Sequence, residues 1–218
     1  MCFSATASFG ASAILGVIGI AAVVKSRTNS QRLFATIPLI FSVQQLSEGL
    51  LWQSLEDPDM AAWQSLLTSI YLVFAMAVWP LWIPLTIRLL DKDAKRKKAM
   101  TWMAATGAFV SMAVCFVLYL YPVKVMPMHH HLHYEFDIPR TVKNLIGVFS
   151  VLYIMATIVT PFISGIKKMK WLGIVFLASY LYAITFYNGF VISVWCFFAA
   201  ILSLVVLWII FDLRKTTP

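Results

Sequence analysis

The basic residues of this chain are concentrated in alternate gaps between long apolar stretches, and few folds accommodate that pattern. Seven apolar segments can be read, at residues 11–24, 33–55, 62–87, 101–121, 145–163, 171–187 and 190–211. The first gap holds Lys25, Arg27 and Arg32, and the third holds Arg88, Lys92, Lys95, Arg96, Lys97 and Lys98. The fifth holds Lys167, Lys168 and Lys170, and Arg214 and Lys215 follow the last segment. The intervening gaps hold only Lys124, Arg140 and Lys143, beside Glu56, Asp57, Asp59, Glu135 and Asp137. Fourteen of the 17 basic residues therefore fall on one side of the alternation, which the positive-inside rule assigns to the cytoplasm. The expected fold is an all-α integral membrane bundle of seven transmembrane helices, N-terminus outside and C-terminus cytoplasmic. Residues 1–218 form a single domain, because the longest gap, from Pro122 to Arg140, is too short for another.

Composition agrees with this reading. A 218-residue chain that is 61% hydrophobic and 12% charged cannot hide its apolar surface in a soluble globule. Segments near 20 residues match a hydrocarbon core about 30 Å thick. The net charge of +8 then marks a cytoplasmic rim facing anionic lipid and no nucleic-acid footprint. Lys25 follows the first apolar segment, so the basic region of a cleavable signal is missing and the first helix is expected to be an uncleaved anchor. The absence of an internal repeat gives no support to an inverted-repeat transporter.

This topology gives each buried polar residue a depth. On the outward-running second helix, Glu48 lies about 12 Å below Glu56 at about 1.5 Å per residue. Gln44, Gln45, Glu48 and Trp52 follow spacings of three and four and share a face. Glu48 is the only acid inside the seven segments, and a carboxylate at that depth faces a cavity, a partner or a metal, or is a neutral hydrogen-bonded acid. The seventh helix runs inward and puts Ser193, Trp195 and Cys196 near the depth of Glu48. Cys115 reads as a small apolar residue of the fourth helix. Cys2 lies on the outer side, where a disulfide with Cys196 is one option. Removal of Met1 before the small Cys2 would free an amine and a thiolate for one metal ion; a frayed terminus is the plain alternative.

All four histidines, His129, His130, His131 and His133, lie in the outer gap between the fourth and fifth segments, followed by Tyr134, Glu135 and Asp137. A short histidine tract suits Zn²⁺ or Cu²⁺, and on an irregular loop adjacent imidazoles can converge on one ion. Other seven-helix chemistries fit poorly. The last segment has no lysine for a retinal, and no histidine lies within a span to ligate haem. The alkaline-ceramidase type of hydrolase shares the helix number, but its histidines come from separate helices and it uses an aspartate within a span, which this chain lacks.

Four segments carry a more specific likeness. They are Met1-Cys2-Phe3-Ser4-Ala5-Thr6-Ala7-Ser8, Gln44-Gln45-Leu46-Ser47-Glu48-Gly49, Trp79-Pro80-Leu81-Trp82-Ile83-Pro84 and Ser193-Val194-Trp195-Cys196-Phe197-Phe198-Ala199-Ala200. Together they resemble an uncharacterised family of bacterial multi-pass membrane proteins along the whole chain, which implies the inner membrane as location. A family element of two histidines, two further residues and a tyrosine matches His130-His131-Leu132-His133-Tyr134, and the resemblance thereby favours His130 and His131 over His129 and His133. Trp79, Pro80 and Pro84 lie in the inner half of the third helix and are expected to shape it, far from the site.

The expected site is an outward-facing zinc centre of Cys2, Glu48, His130 and His131, with Gln44, Gln45, Cys196 and His133 as supporting or alternative ligands. With one coordination position open, a bound water would serve a metal-dependent hydrolase or hydratase, with Glu48 as base or ligand and Tyr134 beside it. Two alternatives stay open. One is a copper-binding sensor or handling protein without turnover, for which Met126 and Met128 are the methionines near the histidines. The other is a structural subunit or receptor without metal. The substrate, small molecule or lipid, is not specified by these residues.

Overall fold

A computed structural model of the protein describes residues 4–128, 131–187 and 190–216, apart from the side chains of Ser193, Cys196, Phe197 and Thr216. Among these residues the helices join into seven antiparallel rods. The first is α1 (Ala5–Lys25), whose N-cap Ser4 side chain accepts a hydrogen bond from the Ala7 amide. The second is α2 (Asn29–Ala35) followed by α3 (Ile37–Glu56), broken at Thr36 just before Pro38. A 3₁₀ turn at Pro58–Trp63 leads into α4 (Gln64–Leu72), a π-helical segment at Val73–Val78 and α5 (Trp79–Leu90). The fourth rod is the long α6 (Ala94–Leu120). The fifth contains α7 (Arg140–Lys143), α8 (Ile146–Ile154), a π-helical segment at Met155–Val159 and α9 (Thr160–Ile163). The last two are α10 (Met169–Phe186), and α11 (Val191–Phe197) with α12 (Ala199–Thr216).

Among the described residues, five stretches are long and apolar enough to cross a membrane: Ala5–Lys25, Pro58–Leu90, Ala94–Leu120, Arg140–Ile163 and Met169–Phe186. The other two rods are more polar or shorter. In α3 the row Gln44, Gln45, Ser47 and Glu48 dilutes the apolar run, while α12 ends in Asp212, Arg214 and Lys215. The outer surface is apolar, with Val17, Val24, Phe116, Tyr119 and Phe186 all exposed.

One expectation is corrected. The gap holding the histidines is no irregular loop: β1 (Val123–Met128) and β2 (His131–Phe136) form a two-stranded antiparallel hairpin. The cause is legible in the chain, because Val123 and Val125, then Leu132, Tyr134 and Phe136, recur with period two. The register pairs Val125 with Tyr134, Met126 with His133 and Met128 with His131. The hairpin stands at the end of the bundle where α1 begins and α3 and α6 finish. All fourteen basic residues of the odd gaps and the tail lie at the other, lysine-rich end.

The main core lies in the middle and toward the lysine-rich end. There Leu15 and Ala22 of α1 meet Phe34, Ile37 and Phe41, and Leu202, Val206, Ile209 and Ile210 of α12 complete the cluster. α1 thus packs on both α3 and α12. The α1–α3 seam is fixed by Ser12 and Ser42, each hydroxyl donating to the other's backbone carbonyl.

The third and fifth rods, which carry Pro80 and Pro161, open their backbone in the same way. Proline lacks an N–H, so a π-helical segment precedes Trp79-Pro80 and another ends just before Thr160-Pro161. Side chains from neighbouring helices take carbonyls in the first of these segments: Tyr153 donates to Ala75 O at 3.0 Å, and Ser111 donates to Ala77 O at 2.5 Å. Pro84 likewise leaves the Pro80 carbonyl without its i+4 donor, and α6 approaches it so closely that a Cβ on Gly107 would lie 1.7 Å from that oxygen. Only glycine fits there.

The candidate site at the hairpin end

Glu48 is wholly buried on α3 and accepts a hydrogen bond from Gln45 Nε2 at 3.0 Å. Gln44, one turn deeper, is also wholly buried, and its Oε1 accepts from Trp79 Nε1 at 2.9 Å. The expectation that Trp79 is remote is therefore corrected. The backbone shift before Pro80 places this indole directly against the polar row, where it also stacks on Phe41 at 3.9 Å between ring centroids. A local pattern of prolines signals a bend; it does not say which residue the bend delivers.

Above this row sits a second cluster. Leu51 and Trp52 of α3, Leu67 of α4, and Val125 and Leu132 of the hairpin are buried together, with Ala5 of α1 and Tyr134 packed against them. Leu51 and Trp52 lie one helical turn, about 5 Å, above Glu48. Tyr134 stacks on Tyr71 with centroids 5.6 Å apart. The other strand face carries His131 and His133. His131, 7% exposed, meets Tyr187 edge-on at 5.3 Å and Phe190 at 5.1 Å, while His133 reaches Phe190 at 6.0 Å. Because strand residues two apart share a face, His131 and His133 are the natural pair on β2, whereas the family resemblance favours His130 and His131.

Cys2, His129 and His130 lie outside the described residues, as does the side chain of Cys196. Among the described residues, no group of three or more His, Cys, Asp or Glu side chains is arranged to hold a metal ion. What the fold does bring together is the start of α1, the last turns of α3 and the hairpin. Trp195, expected at the depth of Glu48, faces α10 and donates to Ser179 Oγ at 2.9 Å. Cys115 is a free, exposed cysteine on α6.

The lysine-rich end is held by ordinary electrostatics. Asp91, 4% exposed, accepts from Gly165 N at 2.8 Å and Asp93 N at 2.9 Å, and pairs with Arg96 Nε at 3.1 Å. Burial alone would raise its pKa; the two amides and the guanidinium outweigh that and hold it below the usual carboxylate range. Lys168 meets Asp212 at 2.6 Å and lies 4.3 Å over the Trp208 ring.

These features define the class: a mostly helical bundle with five helices able to cross a membrane and a polar row under a hairpin cap. Residues 1–217 match a family of unknown function, DUF6629, and the chain belongs to that family. No curated protein and no solved structure matches it.

Proposed function

We propose that this is a seven-span protein of the bacterial inner membrane, N-terminus outside and C-terminus cytoplasmic, with a zinc centre on its outer face held by Cys2, Glu48, His130 and His131. The observation carrying this reading is the packing of Ala5, Leu51, Trp52, Val125 and Leu132 in one cluster. Three ligand-bearing segments remote in sequence meet there, and Cys2 and His130 are three and two residues from members of the cluster. Gln45 donates to the Glu48 carboxylate, and Trp79 fixes Gln44 one turn below it. Zinc with one open position supplies a water that ionises near pH 7, which suits a hydrolase or hydratase, with Glu48 orienting that water or completing the ligand set.

A second reading, copper binding without turnover, is favoured by the hairpin register. Met126 lies opposite His133 and Met128 opposite His131, so thioether and imidazole groups fall in directly facing pairs.

Elemental analysis of protein purified without a histidine tag tests both. Glu48→Gln, Cys2→Ser and His130→Ala should each lower bound zinc, while His129→Ala should not. Equal zinc in all variants and the parent would remove the centre, and copper lost on Met126→Leu with Met128→Leu would favour the second reading. Orientation is tested by labelling cysteines placed at Asp57 and Lys95: the first should react from outside and the second only after the membrane is opened.

A further inference from the structure

A cavity of about 730 Å³ lies beside the polar row, between α6, the α8 rod, α10 and α11. Its walls run from Phe136, Ile138 and Val142 at the hairpin end to Thr157, Trp79 and Gln44 in the middle of the bundle. From Val142 to Thr157 the rod advances about 22 Å at about 1.5 Å per residue. That is half of the about 40–45 Å thickness of a bilayer with its headgroups.

We propose that this slot binds one hydrocarbon tail of a membrane phospholipid, admitted sideways between α6 and α8 from the leaflet on the hairpin side. The proposal rests on the membrane placement above and not on the metal. Three observations identify the occupant. First, α6 has no buried residue from Ser111 to Leu120, and α8 has none at all, although both line the cavity; the slot is open to whatever surrounds the bundle. Secondly, polar side chains along its inner part are engaged with protein partners: Trp79 with Gln44, Tyr153 with Ala75 O, Thr157 with Tyr153 O and Trp195 with Ser179. An occupant there is offered mainly methyl groups and ring faces, with the hydroxyls of Ser150 and Tyr180 interrupting an otherwise apolar wall, which suits an alkyl chain better than a polar solute. Thirdly, Arg140 and Lys143 flank Val142 at the mouth, where a phosphate headgroup would lie.

The full-length protein in phosphatidylcholine vesicles, with a diazirine at the end of one acyl chain, provides the test. Photolysis should label slot residues such as Val114, Tyr153 and Ile154 in preference to the outward-facing Met112 and Val151. Ala113→Trp, which fills the slot, should reduce that labelling about tenfold, equivalent to about 1.4 kcal/mol, and leave Met112 labelling unchanged. Ser150→Trp repeats the block from the opposite wall and guards against a variant that fails to fold. Slot labelling no stronger than at Met112, or undiminished in both folded variants, would overturn the proposal. Zinc measured in the same samples separates the two ideas: Ala113→Trp should keep its zinc, and Glu48→Gln should keep its slot labelling.

Discussion

At the lysine-rich end, loops are clamped by charge: Asp91 gathers two amides and a guanidinium, and Lys168 meets Asp212. At the hairpin end, contacts among the described residues are mainly aromatic and imidazole rings, and neither ion pair lies there. The interior follows the same division. Met100, Gly107 and Val110 are the buried residues of α6, all below Ser111, while its upper turns line an open slot. One half of the bundle supplies rigidity, which leaves the other free to hold a cavity and a polar row. In lipid such rigidity comes from close packing and satisfied polar groups, because burying an apolar face against another helix exchanges one apolar neighbour for another.

The largest test of this contrast is at Gly107. Gly107→Ala drives a methyl group into the Pro80 carbonyl and should cost about 3 kcal/mol or more, seen as loss of the monodisperse peak in detergent chromatography. Gly147→Ala, with nothing within 4 Å of the new methyl, should leave that peak intact. Asp91→Ala should come next, at about 2–3 kcal/mol, from lost hydrogen bonds to a charged acceptor. Its pH dependence has a definite sign. The folded pKa is depressed, so the stabilisation is present above the unfolded value of 3.8 and disappears as pH falls through the folded one. Melting curves between pH 3 and 7 should therefore converge for Asp91→Asn and the parent at the acid end and separate toward neutrality; parallel curves would contradict the clamp.

In the polar row, Trp79→Phe keeps the ring on Phe41 but removes the donor to Gln44, and should cost about 1–2 kcal/mol in thermal unfolding. The smallest effect should be at Lys168→Ala. This partly exposed pair should contribute under about 1 kcal/mol and weaken further with salt.

The seven rods and their alternation were legible because hydropathy and charge are carried by every residue of a segment, so local errors average out. The face shared by Gln44, Gln45 and Glu48 was legible for a similar reason: helical spacing fixes it. The hairpin was less legible although Leu132, Tyr134 and Phe136 alternate, because the intervening His131 and His133 read equally as a metal-binding tract and mask the strand period. The Trp79–Gln44 bond joins residues 35 positions apart and depends on the π-helical shift before Pro80. No local pattern states where such a shift will aim a side chain. The slot was invisible for a comparable reason: it is a mismatch between α6 and α8, and a gap has no residues of its own.

The contact of α1 with α12 has a consequence for synthesis. Leu15 and Ala22 share a core with Leu202, Val206 and Ile209, which are made much later. Until α12 arrives, the pair formed by α1 and α3 keeps a flank that nothing in the nascent chain can cover. A product ending before Ala199 would carry that unsealed flank permanently, which gives cellular quality control a physical mark distinguishing chains that lack α12 from those that have it.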